Sequence, residues 1–412
     1  MPSTPDFKRF LIQFALLTAA GAIAAVAMVV VIDPYGLYRL VSRPVFNQVK
    51  PQLKRYQKEI KVELALAAQA DTLIIGNSRA EIGFNPLHPA LAARASSPFN
   101  LALAGSRLSA ARSQLASLRA AGRPPRTLIV GVDFLDFLVD PNAPLHSPAV
   151  APSSDAWMKL QWQLDSAFSI DSLTDALGTL RLQRLADPES MTARGFNPFF
   201  EYRKMARDEG YYPLFQQRAV DYARRFAARR PVLRSMLGQH AVDVEHLQAI
   251  LQQSAAEGAH ISVVIYPYHA QIMALFEQAG MMPALEQWKA MLALQVEGVR
   301  AAHPNAHITL WDFSGYGRYQ CEPIPAKGDR TSATAWYWEA GHFKSGLGDL
   351  MLDRMLAQPA SDAPDGFGMM LSTPVLAANE RRLGLERAQC AVANPSLFAN
   401  AATLYADASR KR

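Results

Sequence analysis

The sequence predicts an α/β fold: a five-stranded parallel, doubly wound sheet with a helical insertion, carried behind an N-terminal transmembrane helix. Three observations predict it. Residues 10–32, "FLIQFALLTAAGAIAAVAMVVVI", contain no charged side chain. Five short apolar runs follow: "TLIIG" (72–76), "PFNLALAG" (98–105), "RTLIVGVDF" (126–134), "HISVVIYPYH" (260–269) and "AHITLWDFS" (306–314). Helical patterns alternate with them, among them "SAARSQLASLRAAG" (109–122), "VEHLQAILQQSAAEGA" before the fourth run and a helix around 282–302. Short continuous apolar runs alternating with helices mark strands buried on both faces and joined by βαβ crossovers.

The N-terminal segment sets the compartment. At about 1.5 Å per residue it crosses a hydrocarbon core of roughly 30 Å. Lys8 and Arg9 precede it and Asp33-Pro34 ends it, so the positive-inside rule keeps residues 1–9 in the cytoplasm and places the bulk of the chain in the periplasm or its equivalent outside the cytoplasmic membrane. The apolar run is longer than a usual signal-peptide core, and "DPYGLYR" is a poor cleavage site. These favour a single uncleaved anchor over a cleaved signal or a buried core helix. Residues 33–68 read as a juxtamembrane connector leading into a helix, "QKEIKVELALAAQA". The sheet domain is expected over 69–355. Within it, 140–245 breaks the rhythm: a Pro-rich "DPNAPLHSPAVAPSS" opens mostly helical sequence, expected to form a cap beside the strand ends. A polar "AQPASDAPDG" then leads into a weakly periodic helical tail over 356–412.

Half of the 412 residues are hydrophobic, enough for a sizeable core, and the net charge is +6. That charge suits anionic lipid headgroups or acidic glycans and falls short of a nucleic-acid signature. The two cysteines, Cys321 and Cys390, form no CxxC, which argues against a zinc ribbon or dithiol site and leaves their pairing open. No metal or cofactor is expected. Asp133 and Asp136 have no histidine at ligand spacing.

Ligands in such sheets bind at the carboxyl ends of strands, and the chemistry-bearing residues fall there. Ser78 follows the first strand directly. A serine at that place ordinarily caps a helix or makes a turn; it becomes a nucleophile if an imidazole and oxyanion donors converge on it. "EAGH" (339–342) supplies Glu339 and His342 three residues apart, a spacing that on a helical turn lets the carboxylate orient the imidazole. His269, at the end of the fourth run, faces the pocket or caps a helix. Asp312, ending the fifth, is an acceptor near the site or a turn residue. The arginines at 218, 224, 225, 229, 230 and 234 form a solvated helix face or contact an anionic glycan or lipid. Trp157, Trp162, Tyr211 and Tyr212 of the cap stack on sugars or pack helices.

With those residues in place, the sequence resembles the SGNH (GDSL-like) hydrolase superfamily. It is most similar to the membrane-anchored branch acting in cell-surface polysaccharide O-acetylation and teichoic-acid D-alanylation. Gly76-Asn77-Ser78 stands where that family has Gly-Asp-Ser, Gly105 in "LALAGS" where it has its second-block glycine, and Glu339-Ala340-Gly341-His342 where it has Asp-x-x-His. The third block, Gly-x-Asn-Asp, is not matched: "GVDF" puts Asp133 in place of the oxyanion-donating asparagine. The resemblance covers roughly 70–135 and 255–355. It implies an SGNH/flavodoxin-like sheet and a Ser78–His342–Glu339 triad. It also implies an oxyanion site at the Ser78 and Gly105 N–H groups, with Arg79 or Asn100 standing in for the missing donor. The implied activity is transfer or hydrolysis of an O-acyl group on an extracytoplasmic glycan, with a multi-pass membrane O-acyltransferase as partner. The competing expectation is a non-catalytic scaffold of the same descent that binds glycan or recruits that partner.

Overall fold

The computed structural model describes residues 4–92, 97–141, 156–229, 231–234, 242–356 and 367–410. The Pro-rich opening of the insertion and the polar loop before the tail lie almost wholly outside these residues.

The five apolar runs form parallel strands: β1 (Thr72–Ile75), β2 (Pro98–Asn100), β3 (Thr127–Val132), β4 (His260–Ile265) and β5 (Ile308–Asp312). A small antiparallel hairpin follows, β6 (Tyr337–Glu339) and β7 (His342–Phe343), and then β8 (Met369–Met370). The main sheet has the order β8-β5-β4-β3-β1-β2. It therefore holds six strands rather than the expected five, because β8 pairs antiparallel with β5, Met369 opposite Asp312. Register follows the apolar runs: Thr72 lies opposite Pro98 on one side and Thr127 on the other, and Thr127 opposite His260. All four residues of β1 are buried. Strand order reverses between β1 and β3, so the connections that leave their carboxyl ends part to opposite sides, the place where such sheets form a crevice.

The helices, in chain order, are α1 (Thr4–Ile32), α2 (Gln57–Ala67), α3 (Ser78–Gly83), α4 (Leu108–Ala120), α5 (Ala156–Phe168), α6 (Ile170–Leu182), α7 (Phe200–Glu209), α8 (Tyr211–Arg229), α9 (Val242–Ala256), α10 (Ala270–Gln278), α11 (Met282–Ala302), α12 (Ser345–Leu356), α13 (Leu376–Ala393) and α14 (Pro395–Arg410). A short turn, Pro89–Ala92, is also helical. Among them only α1 is long and apolar enough to cross a membrane, with mean hydropathy 2.6 over Phe7–Ile32. Helices α2, α4, α9 and α11 pack in a row.

Among the described residues of the insertion, α5 to α8 are helical, and Ser190–Met191 and Val232–Leu233 are short strands. Trp162 and Tyr211 are buried, whereas Trp157 is 68% exposed. The tail is no loose appendage. Helix α14 packs on α8 and α10, and a Cys321–Cys390 disulfide ties α13 to the loop after β5. The bond closes a sequence separation of 69 residues. Chain-entropy arguments give such a link about 4 kcal/mol of stabilisation, through the unfolded state. The double variant Cys321→Ser/Cys390→Ser is accordingly expected to unfold at clearly lower denaturant than the oxidised chain. Coincident unfolding curves would show that the link contributes nothing.

Candidate active site

The turn after β1 begins with a glycine for a steric reason. Gly76 has φ +147, and a Cβ there would sit 2.3 Å from the Tyr266 hydroxyl. The next residue, Asn77, is the cap of α3: its side-chain oxygen accepts the Arg79 N–H at 3.1 Å. Ser78 is therefore relieved of the capping role that a serine in this place ordinarily takes. It is the first residue of α3, half-buried, with its hydroxyl 2.8 Å from His342 Nε2.

His342 Nδ1 bonds Glu339 Oε1. The pair does not share a helical turn, as the spacing suggested. Glu339 ends β6, His342 opens β7, and the two face each other across a tight hairpin turn. The turn is held from within, because Gly341 N–H donates to Glu339 Oε2 at 2.7 Å. A hairpin turn and a helical turn both bring positions three apart together. The aromatic run "WYWEAGHF" with glycine in the turn is the signal that favours the hairpin. Glu339 is 1% exposed. Burial alone would raise its carboxyl, but His342, Arg218 and the Gly341 N–H outweigh it and hold it down at about 2. It is a carboxylate at neutral pH. His342 is pushed below its usual 6.5, first by burial and further by Arg79 and Arg218, against the upward pull of Glu339. A neutral imidazole that donates from Nδ1 and accepts from Ser78 at Nε2 is the form a general base needs.

Asp133, at the carboxyl end of β3, is 3% exposed and surrounded by donors. It is ion-paired to Arg79, takes the Tyr268 hydroxyl at 2.7 Å and the Asn77 side-chain amide at 3.0 Å, and caps the following turn through the Leu135 N–H at 3.1 Å. A carboxylate facing a developing oxyanion would repel it; here the charge is met inside the wall by the adjacent guanidinium. The two positions that depart from the SGNH pattern, Asn77 and Asp133, bond each other. Asn77 also donates to Asp136 at 3.0 Å; an aspartate at 77 would crowd three carboxylates together.

Neither substitute oxyanion donor is available. The guanidinium of Arg79 is committed to Asp133, to the Gly341 carbonyl at 2.7 Å and to the Tyr222 hydroxyl at 3.1 Å. Asn100 is fully buried, with its amide on the Ala80 and Phe84 carbonyls at 2.8 and 2.9 Å; it fastens α3 to the sheet. The backbone donors remain. Gly105 is exposed with φ +68, in a loop docked on the Ser78 turn through Leu103 N–H to Gly76 O at 3.1 Å. The N–H groups of Ser78 and Gly105 are bonded to none of the described residues.

His269 and Asp312 are not part of the site. His269 is fully buried. One ring nitrogen donates to the Glu322 carbonyl at 2.8 Å and the other caps α10 by accepting the Gln271 N–H, and burial pushes it down to about 4. Asp312 is fully buried against Lys289 at 3.0 Å, with Ser314 and Asn379 donating to it. Both hold the core together.

Residues that the sequence reading left on a solvated helix, or did not single out, complete the site instead. Arg218 donates to Glu339 Oε2 at 3.0 Å. Tyr222, one turn further along α8, accepts from Arg79. The Phe199 and Tyr202 rings stack 4.0 Å apart, and Phe199 lies 5.6 Å from His342 and 6.3 Å from Trp338. Only the four-residue spacing of Arg218 and Tyr222 on one helix face hinted at a joint role. Arg224 and Arg225 are exposed, and Arg234 donates to the Pro141 carbonyl at 2.7 Å. The Arg229 side chain and Arg230 lie outside the described residues.

Comparison with protein-family models, with curated proteins and with solved structures returns no match. Since burial and two arginines hold His342 below 6.5, NMR of labelled histidines is expected to show its ring neutral at pH 7 and protonating only below 6.5. In Arg218→Met one of those cations is gone, and the transition moves to higher pH. A wild-type midpoint at or above 6.5, or no upward movement in the variant, would contradict this electrostatic account.

Proposed function

We propose that the chain is a serine-dependent acyl-transfer enzyme of SGNH-like type. It is anchored in the cytoplasmic membrane by α1 and acts outside it on O-acyl groups of a cell-surface glycan. The observation that carries the reading is the continuous relay Ser78–His342–Glu339, with 2.8 Å between Ser78 Oγ and His342 Nε2. Core serines and histidines have no need of such an arrangement. Here the serine stands at the crevice where strand order reverses, its usual capping role is taken by Asn77, and its imidazole partner is neutral and carboxylate-oriented. The location outside the cytoplasm draws support from the apolar α1 and from the Cys321–Cys390 disulfide, a bond favoured in oxidising compartments.

The chemistry follows from the geometry. Ser78 Oγ attacks the acyl carbonyl carbon as its proton passes to His342 Nε2. The N–H groups of Ser78 and Gly105 receive the developing oxyanion. Collapse expels the alcohol, which takes the proton from His342 and leaves an ester on Ser78. Water, or a glycan hydroxyl, then gives its proton to His342 and attacks that ester. The second collapse returns the proton to Ser78. Glu339 stays ionised throughout and stabilises the imidazolium, and Arg218 and the Gly341 N–H keep it in place. Phe199 and Tyr202, half-buried beside His342, offer aromatic surface of the kind sugars stack on. In this reading a multi-pass membrane O-acyltransferase that exports the acyl group is the natural partner.

With p-nitrophenyl acetate and an acetylated xylan as substrates, Ser78→Ala and Glu339→Gln are each expected to lower kcat/KM by about 10³-fold or more. Turnover that both substitutions leave unchanged would remove the triad and return the chain to the class of glycan-binding scaffolds.

A further inference from the structure

We propose that the α5–α6 hairpin lies in the outer interface of the bilayer, so that the domain is seated on the membrane as well as tethered to it. This rests on the reading of α1 as a membrane anchor. Residues 7–24 of α1 are all exposed, and its buried positions begin at Val29. Measured from Phe10, where the charge-free run begins, Val29 and Ile32 lie about 29 and 33 Å along the helix at 1.5 Å per residue, at the far edge of a hydrocarbon core of roughly 30 Å. The buried part of α1 therefore begins where the hydrocarbon ends. At that level Val29 and Ile32 are buried against Ala176, with Met28, Leu173 and Leu180 around them. Leu173, Ala176 and Leu180 are on α6, so α6 is held at the depth of the headgroups.

The exposed face of the hairpin suits that depth. Along α5, Leu160, Leu164 and Phe168 recur every four residues and are 45%, 45% and 66% exposed. On α6, Ile170 is 84% and Leu177 47% exposed. At 100° per residue these two lie roughly 40–80° round the helix from Leu173 and Leu180, which pack against α1. The apolar surface of the anchor thus continues onto the hairpin without a polar break at these positions. The connector adds exposed Leu40 and Val45 beside exposed Arg39 and Arg43. On α6, Arg181 follows Leu177 by one turn and is exposed. An apolar stripe flanked by arginines at the end of a span is what partitions into an anionic interface. A water-facing surface would not keep this stripe.

Both cysteines are in the disulfide, so single introduced cysteines can carry nitroxide labels on the full-length chain. Leu164→Cys and Leu177→Cys report on the hairpin, Leu17→Cys on α1 and Val392→Cys, 84% exposed on α13, on open water. In proteoliposomes of phosphatidylcholine and phosphatidylglycerol, both hairpin labels are expected to collide with oxygen more than with a water-soluble nickel chelate. Their nickel accessibility should fall severalfold below that at Val392. Hairpin labels as open to nickel as Val392, with the Leu17 label in lipid, would overturn the proposal alone and leave the stripe for a protein partner. A Leu17 label open to nickel would overturn the anchor reading, and this inference with it.

Discussion

The site depends on one buried cation. The Arg79 guanidinium joins four pieces of chain. These are the α3 turn carrying Ser78, Asp133 at the end of β3, the Gly341 carbonyl in the Glu339–His342 hairpin, and Tyr222 on α8 of the insertion. A guanidinium has five N–H donors in a rigid plane, so it fixes partner positions as well as neutralising a charge. Leaving Asp133 buried without it would cost about 3–5 kcal/mol by comparison with other broken buried pairs. The residue after Ser78 thus fastens the Ser78 turn to the hairpin that carries His342.

Around that centre α3 is clamped from every side. Lys61 of α2 reaches Glu81 at 2.9 Å inside the core, and Asn100 holds the Ala80 and Phe84 carbonyls. From α12, Gly348 approaches so closely that a Cβ there would sit 1.8 Å from the Gly83 carbonyl oxygen. A six-residue helix is too short to hold itself in place. Here tertiary bonds hold it, and Ser78 keeps one orientation against an imidazole that is equally constrained.

The strands were legible because burial on both faces demands continuous apolar runs, and "TLII" or "TLIVGV" has few other uses in a chain of this kind. The edge strand Met369–Met370 was not legible; two residues carry no period. Ser78, His342 and Glu339 were legible as residue types at strand ends, but the helical reading of "EAGH" failed because one spacing serves two turns. The neutralisation of Asp133 could not be read in one dimension. Its neutralising partner is 54 positions away in Arg79, and the Tyr268 hydroxyl is 135 away. Arg218, 121 residues from Glu339, was invisible for the same reason: long-range pairing leaves no local pattern.

The central claim is that this scaffold makes Ser78 a nucleophile. It is tested most directly by treating the full-length chain with a fluorophosphonate at neutral pH and locating the adduct by peptide mass spectrometry. The account predicts one phosphonylated residue, Ser78, and no adduct once the chain is unfolded. A folded chain that stays unlabelled, or that labels elsewhere with Ser78 intact, would contradict it.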